Sequence, residues 1–264
     1  MKKIMWINPV GGREFNEPIK KVLEDIKQED TEIKVVSLAD RWDKKIGPKH
    51  VEYHFYEELV MPYTLAEVKW ADKNGFDAAV IGCFYDPGLD TAREIVENII
   101  VTAPAEASMA IAMALGHKFS IIVGRRKWIP QMEQNVVKYG LKDRLASFRS
   151  VGLGVLDFHK DEKKTAEIIK REARKAVEED GAEVILLGCT IQFGFYKELQ
   201  KELGVPVIDA VIAPFKYAEF LVELKNRFGW GHSKIGGYET PPFWEMDDWK
   251  IWDEYEFAER NSWR

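Results

Sequence analysis

Cysteine is scarce in this chain, whose 264 residues contain only Cys83 and Cys189. Two cysteines so far apart make neither a disulfide framework nor a CxxC redox motif. We therefore expect both thiols to be reduced, as in a soluble, cytoplasmic protein.

Long apolar runs and long basic segments are also missing. No stretch approaches the roughly 18 apolar residues of a membrane-spanning helix. The formal net charge is −6 and Lys and Arg are dispersed, which argues against nucleic acid as a partner. The apolar stretch after Lys2 and Lys3 is too short for a signal-peptide core. The expected partner is a small-molecule substrate.

Short apolar runs instead alternate with longer amphipathic segments, which predicts an α/β fold with parallel sheets. Strands are predicted at 3–9, 32–38, 76–83, 119–124, 147–153, 182–189 and 205–210. The pattern restarts near residue 101. We therefore predict two similar lobes, each a short parallel sheet flanked by helices, related by a pseudo-twofold axis, with the active site in the cleft between them.

The predicted first lobe comprises residues 1–100 plus 214–228, and the second lobe comprises 101–213. Residues 229–264 form a C-terminal extension rich in aromatic residues and acids. So aromatic a segment is not typical of disorder. We expect it to pack on its own lobe or on another subunit rather than to act as a lid, and we expect a homo-oligomer.

Both cysteines occur at the same place in an internal repeat. NGFDAAVIGCF (74–84) and DGAEVILLGCT (180–190) each lead through an apolar strand into Gly-Cys. Ligands of open α/β sheets bind beyond the carboxyl ends of the strands. Two facing lobes would therefore present Cys83 and Cys189 from opposite sides of one cleft, with the N-terminus of the following helix stabilising each thiolate.

Opposed thiols suit the inversion of a stereocentre next to a carbonyl group. One thiolate removes the α-proton, the other thiol returns a proton to the opposite face, and the roles exchange for the other enantiomer. A free thiol has a pKa of about 8.5, so a modest lowering makes both forms available near neutrality. The alternative is two small hydrophobic residues buried at strand ends. The pairing by repeat favours catalysis.

Four segments resemble the aspartate/glutamate/hydantoin racemase superfamily, and within it the hydantoin and allantoin racemase branch. They are INPV (7–10), CFYDPGLDTARE (83–94), ILLGCT (185–190) and VPVIDAV (205–211). The resemblance covers roughly residues 3–228. It implies a cofactor-independent racemase without a metal, in which Cys83 and Cys189 are the catalytic acid/base pair. It further implies that the substrate-binding site is lined by Asn8, Phe84, Tyr85 and Thr190.

Two departures from the branch pattern keep other functions open. Val10-Gly11-Gly12-Arg13 follows Asn-Pro where the branch has hydroxyl residues, and Thr190 follows the second cysteine as in amino-acid racemases. The enzymatic alternatives are an aspartate or glutamate racemase and a related cis–trans isomerase or decarboxylase. The non-enzymatic alternative is a two-lobed protein that binds a small acid without catalysis.

Two aspartates near the first cysteine are further candidates for acid/base work. Asp86 and Asp90 flank the Pro87-Gly88 turn. We favour structural roles, with Asp86 shaping the turn and Asp90 capping the following helix.

Overall fold

The computed structural model describes residues 1–41 and 47–251, and within them it contains eight strands. The strands are β1 Lys2–Asn8, β2 Thr31–Ser37, β3 Ala78–Ile81, β4 Ile100–Thr102, β5 Phe119–Val123, β6 Leu145–Ser150, β7 Val184–Leu187 and β8 Val207–Ile208. All their pairings are parallel.

Ten α-helices lie between or after these strands in the described part of the chain. They are α1 Asn16–Ile26, α2 Leu38–Arg41, α3 His54–Lys73, α4 Leu89–Ile95, α5 Pro104–Leu115, α6 Ile129–Lys138, α7 Glu162–Glu178, α8 Tyr196–Leu203, α9 Ile212–Phe228 and α10 Phe243–Asp248. None of the helices in residues 1–41 and 47–251 is long and apolar enough to cross a membrane.

The chain divides into two compact units that each contain one four-stranded sheet. The first unit comprises Met1–Gly82, Pro87–Ala103 and the chain from Phe215 onward, and the second comprises Cys83–Asp86 and Pro104–Pro214. The sheet of the first has the order β2-β1-β3-β4, and that of the second β6-β5-β7-β8. The strand order is thus the same in both, and the predicted α/β class with two parallel-sheet lobes is confirmed.

The repeated segments enter their strands in the same way. Gly75 and Gly181 both have φ +74°, a left-handed conformation that glycine adopts without strain. The acid two residues later then binds the start of the neighbouring strand: Asp77 accepts the Lys3 N–H at 2.8 Å, and Glu183 accepts the His117 N–H at 2.6 Å. The strands that follow, β3 and β7, are apolar and fully buried, as expected for central strands of parallel sheets.

The C-terminal extension packs on the first unit as far as the structure describes it. His232 Nε2 accepts the Val101 N–H of β4 at 2.8 Å, and Arg93 donates to the Tyr238 hydroxyl at 3.2 Å. Three of its tryptophans remain about two-thirds exposed: Trp230, Trp244 and Trp249. Residues 252–264 of the predicted extension lie outside the described residues. The homo-oligomer stays a prediction.

One helix boundary next to the first cysteine differs from the sequence prediction. Capping of α4 by Asp90 is wrong: Gly88 is the N-cap residue, with φ +63°, and Asp90 lies within the first turn. Before the cysteine, α3 runs without interruption through Pro62.

Candidate active site

Each Gly-Cys pair continues its strand by one further hydrogen bond to the other inner strand of its sheet. The Gly82 N–H donates to the Ile7 carbonyl of β1 at 2.8 Å, and the Gly188 N–H donates to the Ile122 carbonyl of β5 at 2.9 Å. The repeat in the sequence is therefore also a repeat in backbone geometry. Each thiol follows at the carboxyl end of its strand, where ligands of α/β sheets bind.

Close packing explains why glycine precedes each cysteine. A Cβ atom at Gly82 would lie 2.6 Å from Trp6 Nε1, and one at Gly188 would lie 2.7 Å from Ile121 Cγ2. Real carbon contacts begin at about 3.5 Å. Any side chain at these positions would displace the strand end and, with it, the cysteine.

A tight backbone turn directly follows each thiol. The Asp86 N–H donates to the Cys83 carbonyl at 2.9 Å, and the Gln192 N–H donates to the Cys189 carbonyl at 3.0 Å. Both cysteines are half-buried and neither forms a disulfide. The α-helices α4 and α8 begin only at Leu89 and Tyr196, so a turn rather than a helix N-terminus comes next to each thiol.

The other predicted site residues next to the thiols belong to the second unit. Phe84 and Tyr85 are buried, with 1% and 7% of their surface exposed. Thr190 is half-buried and opens the 3₁₀ turn Thr190–Gln192. Together with both cysteines they lie in the part of the chain that the contacts assign to this unit.

Asn8 is the predicted site residue that lies in the first unit, at the end of β1. Its side-chain oxygen accepts the Trp6 indole N–H at 2.7 Å, and its amide nitrogen donates to Asn16 Oδ1 at 2.8 Å. A carboxamide can make four hydrogen bonds. These two contacts fix its orientation and leave one donor and one acceptor position.

Asp86 has a larger role than turn formation. Its carboxylate accepts the N–H groups of Ala105 and Glu106 at 2.8 and 2.7 Å, and the Tyr139 hydroxyl at 2.7 Å. It thereby joins the loop after Cys83 to the N-terminus of α5. Burial raises the pKa of Asp86 to about 7, against the opposing effect of these hydrogen bonds.

Asp209 makes the corresponding link for the loop after Cys189. Its carboxylate accepts the N–H groups of Val211 and Ile212 at the start of α9, and that of Gly194 in the loop at 3.2 Å. Burial raises the pKa of Asp209, and the backbone hydrogen bonds oppose this rise. In the loops after Cys83 and after Cys189, called the cysteine loops below, a buried carboxylate therefore connects the loop to a helix N-terminus.

His159 is a further contact of the second cysteine loop. Its Nε2 lies 2.9 Å from the Ile191 carbonyl, and its ring stacks on Phe193 and Phe195 with centroids 4.7 and 5.8 Å away. Because a carbonyl only accepts, Nε2 donates in this contact. Sequence reasoning missed His159, since it precedes α7 and no local pattern marks it.

No group of three or more His, Cys, Asp or Glu side chains in residues 1–41 and 47–251 is arranged to hold a metal ion.

Comparison with known proteins identifies the family. The family model described as Asp/Glu/Hydantoin racemase matches residues 4–218. The chain belongs to this family. It is 38% identical over 239 residues to the hydantoin racemase of Pseudomonas sp. (strain NS671), covering 90% of this chain and 92% of that protein. It is 36% identical over 240 residues to the hydantoin racemase of Paenarthrobacter aurescens, covering 90% and 97%.

Solved structures agree with the sequence relatives. The allantoin racemase from Klebsiella pneumoniae has a TM-score of 0.83 and 30% identity, covering 92% of this chain and 94% of that one. The protein is therefore an isomerase of the racemase type, and the predicted resemblance to the hydantoin and allantoin racemase branch is confirmed. The roles of the individual site residues stay predictions.

Proposed function

We propose that this protein racemises a hydantoin-type carbon acid, a 5-substituted hydantoin or allantoin, by proton transfer between the thiols of Cys83 and Cys189. The observation that carries the proposal is the equivalence of the two Gly-Cys loops. Each thiol follows the equivalent strand of its sheet, after a glycine that is hydrogen-bonded to the other inner strand and before a tight turn. Nothing in a purely structural role for two cysteines requires this equivalence.

The proposed reaction removes one proton from the carbon next to the carbonyl and adds one proton to its opposite face. The Cys83 thiolate takes the proton from the carbon next to the carbonyl, so a C–H bond breaks and an S–H bond forms. The electron pair delocalises into the carbonyl as an enolate. The Cys189 thiol then gives its proton to the opposite face, which leaves the inverted product and a thiolate. Exchange with solvent resets the two thiols, and the opposite enantiomer uses them in reverse order.

The surroundings of the thiols support this chemistry. Phe84 and Tyr85 are buried and make the surroundings of Cys83 apolar, and the half-buried Thr190 carries a hydroxyl that can donate and accept. Backbone N–H groups in the cysteine loops are suited to stabilise the negative charge of the enolate, because fixed dipoles need no reorganisation during the reaction. No cofactor is required by this scheme.

An aspartate or glutamate racemase is the alternative that one observation favours. Thr190 follows the second cysteine, and this residue is half-buried. Such an enzyme would prefer an anionic α-carboxylate substrate over a neutral ring. Substrate charge therefore separates the two functions.

The test is solvent deuterium exchange at the α-carbon, followed by NMR, with 5-substituted hydantoins, allantoin, aspartate and glutamate. We expect exchange and racemisation with the hydantoins or allantoin. We expect racemisation to fall by at least about a thousandfold in Cys83→Ser and in Cys189→Ser, because a serine hydroxyl is too weak an acid to replace either thiol. Full racemisation by either variant overturns the mechanism, and exchange confined to aspartate or glutamate selects the alternative.

A further inference from the structure

The loop that carries Cys83 is held by Asn135 of α6 and by Tyr139, the C-cap residue of that helix, about fifty residues later in the chain. Asn135 Nδ2 donates to the Tyr85 carbonyl at 2.7 Å, and the Tyr139 hydroxyl donates to Asp86 Oδ2 at 2.7 Å. Asn135 and Tyr139 are four residues apart, so they project from the same side of the helix. All four residues lie in the second unit.

The backbone of this loop has a conformation that needs support. Asp86 has φ +50°, in the left-handed region that residues other than glycine rarely adopt. Such a conformation is strained and persists only where the surroundings impose it. The Asp86 N–H is also the donor that closes the turn onto the Cys83 carbonyl. The dihedral angles of Asp86 therefore help to determine where the thiol lies.

Capping of α5 does not explain the contacts from α6. The Asp86 carboxylate already accepts the N–H groups of Ala105 and Glu106 at that helix end. The Asn135 contact ends on a loop carbonyl and involves no helix terminus. What both α6 contacts share is the segment 84–86, directly after the first thiol.

We propose that Asn135 and Tyr139 are positioning residues, which hold the loop so that the Cys83 thiol is aligned for proton transfer. This inference rests on the proposed function, since it assigns Cys83 a catalytic proton. The two residues do not contact the reacting atoms in this scheme. They act through the Tyr85 carbonyl and the Asp86 carboxylate.

Variants that remove only the two donors test the inference. We would prepare Tyr139→Phe, Asn135→Ala and the double variant in the full chain. Each single variant removes one hydrogen bond, which is a small part of the stability of a domain, so the variants are expected to fold. The matched control is Ser147→Ala, which removes a hydroxyl donor from the carboxylate of Asp180 in the same unit, outside both cysteine loops.

Two readouts distinguish positioning from a general loss of stability. We expect kcat to fall by about 10- to 100-fold with KM changed by less than about threefold, because misplacement of a reacting group by 1 Å has effects of this size. We also expect the rate of iodoacetamide alkylation at Cys83, measured peptide by peptide, to change at least about threefold while Cys189 keeps its rate. Ser147→Ala should change neither quantity.

The outcomes separate this inference from the proposed function. If racemisation by the parent depends on Cys83 but the α6 variants keep the parent kcat and Cys83 alkylation rate, positioning is overturned and the proposed function stands. Positioning is also overturned if the alkylation rates of Cys83 and Cys189 change equally in the α6 variants. The same holds if Ser147→Ala changes kcat or the alkylation rate of Cys83 as much as the α6 variants do. If Cys83→Ser racemises as fast as the parent, the proposed function fails, and a catalytic positioning role fails with it.

Discussion

Replacement of Gly82 by alanine adds a single carbon atom at the strand end before Cys83 and so tests how packing of the strand determines the site. The added Cβ would lie 2.6 Å from Trp6 Nε1 and 2.7 Å from Trp6 Cε2 and Cζ2. Normal contacts begin at about 3.5 Å, so the methyl group intrudes by about 1 Å. The indole cannot retreat easily, because Trp6 is completely buried and donates to Asn8 Oδ1.

The cost follows from these two contacts. Overpacking of a core typically costs about 1–3 kcal/mol. Loss of the Trp6–Asn8 hydrogen bond adds about 0.5–1.5 kcal/mol. We therefore expect Gly82→Ala to lower the free energy of unfolding by about 2–4 kcal/mol. Racemisation should also fall, because Cys83 is the next residue and Asn8 is a predicted substrate contact.

Urea unfolding followed by tryptophan fluorescence measures this change, with Gly237→Ala as the control. A Cβ at Gly237 would meet nothing within 4 Å, and Gly237 is in the same unit. The control should stay within about 0.5 kcal/mol of the parent. If Gly82→Ala, like the control, lowers the free energy of unfolding by less than about 0.5 kcal/mol, the packing explanation for the Gly-Cys motif is refuted.

Three further predictions concern titratable side chains. Burial, aided by the charge of Arg93, lowers the pKa of His232 from 6.5 to about 4. The stabilising contact of His232 with β4 is therefore complete above pH 6.5 and is lost as the pH falls towards 4. Urea titrations should show that the free energy of unfolding falls by about 2 kcal/mol across this window in the parent and not in His232→Ala. The folded pKa of Asp86 is raised from 3.8 to about 7, so its contribution is complete below pH 4 and is lost as pH rises through 7; Asp86→Asn should remove that loss from the pH dependence of stability. His159→Phe keeps an aromatic ring but removes the bond to the Ile191 carbonyl, and we expect kcat to fall about tenfold, with alkylation changed at Cys189 and unchanged at Cys83.

The α/β architecture was predictable because its signals are local. β3 and β7 are continuous apolar runs preceded by a glycine in the left-handed conformation, and the same pattern occurs twice. The three-residue strand β4 was not predicted, because so short a run has no measurable periodicity. α3 continues through Pro62 because burial of residues on both sides, Val60 and Thr64, outweighs the intrinsic cost of proline.

The site was predictable only as far as motifs reach. Cys83 and Cys189 stand out because they are the sole thiols and occupy equivalent places. Asn135 and Tyr139 look like ordinary polar positions of an amphipathic helix, and their contacts with the loop after Cys83 arise only when distant segments pack together. Asp209 was likewise invisible as a partner of the Cys189 loop, because its contact with Gly194 bridges two segments separated by α8.

Enantiomer-resolved deuterium exchange in the two cysteine variants is the measurement that tests the two-thiol claim most directly. Each enantiomer of the substrate would be supplied separately, and α-proton loss would be followed by NMR. With one thiol left, proton removal is restricted to the face that this thiol reaches. We expect that neither variant racemises, and that Cys83→Ser and Cys189→Ser exchange opposite enantiomers. Exchange of the same enantiomer by both variants would refute the two-thiol mechanism.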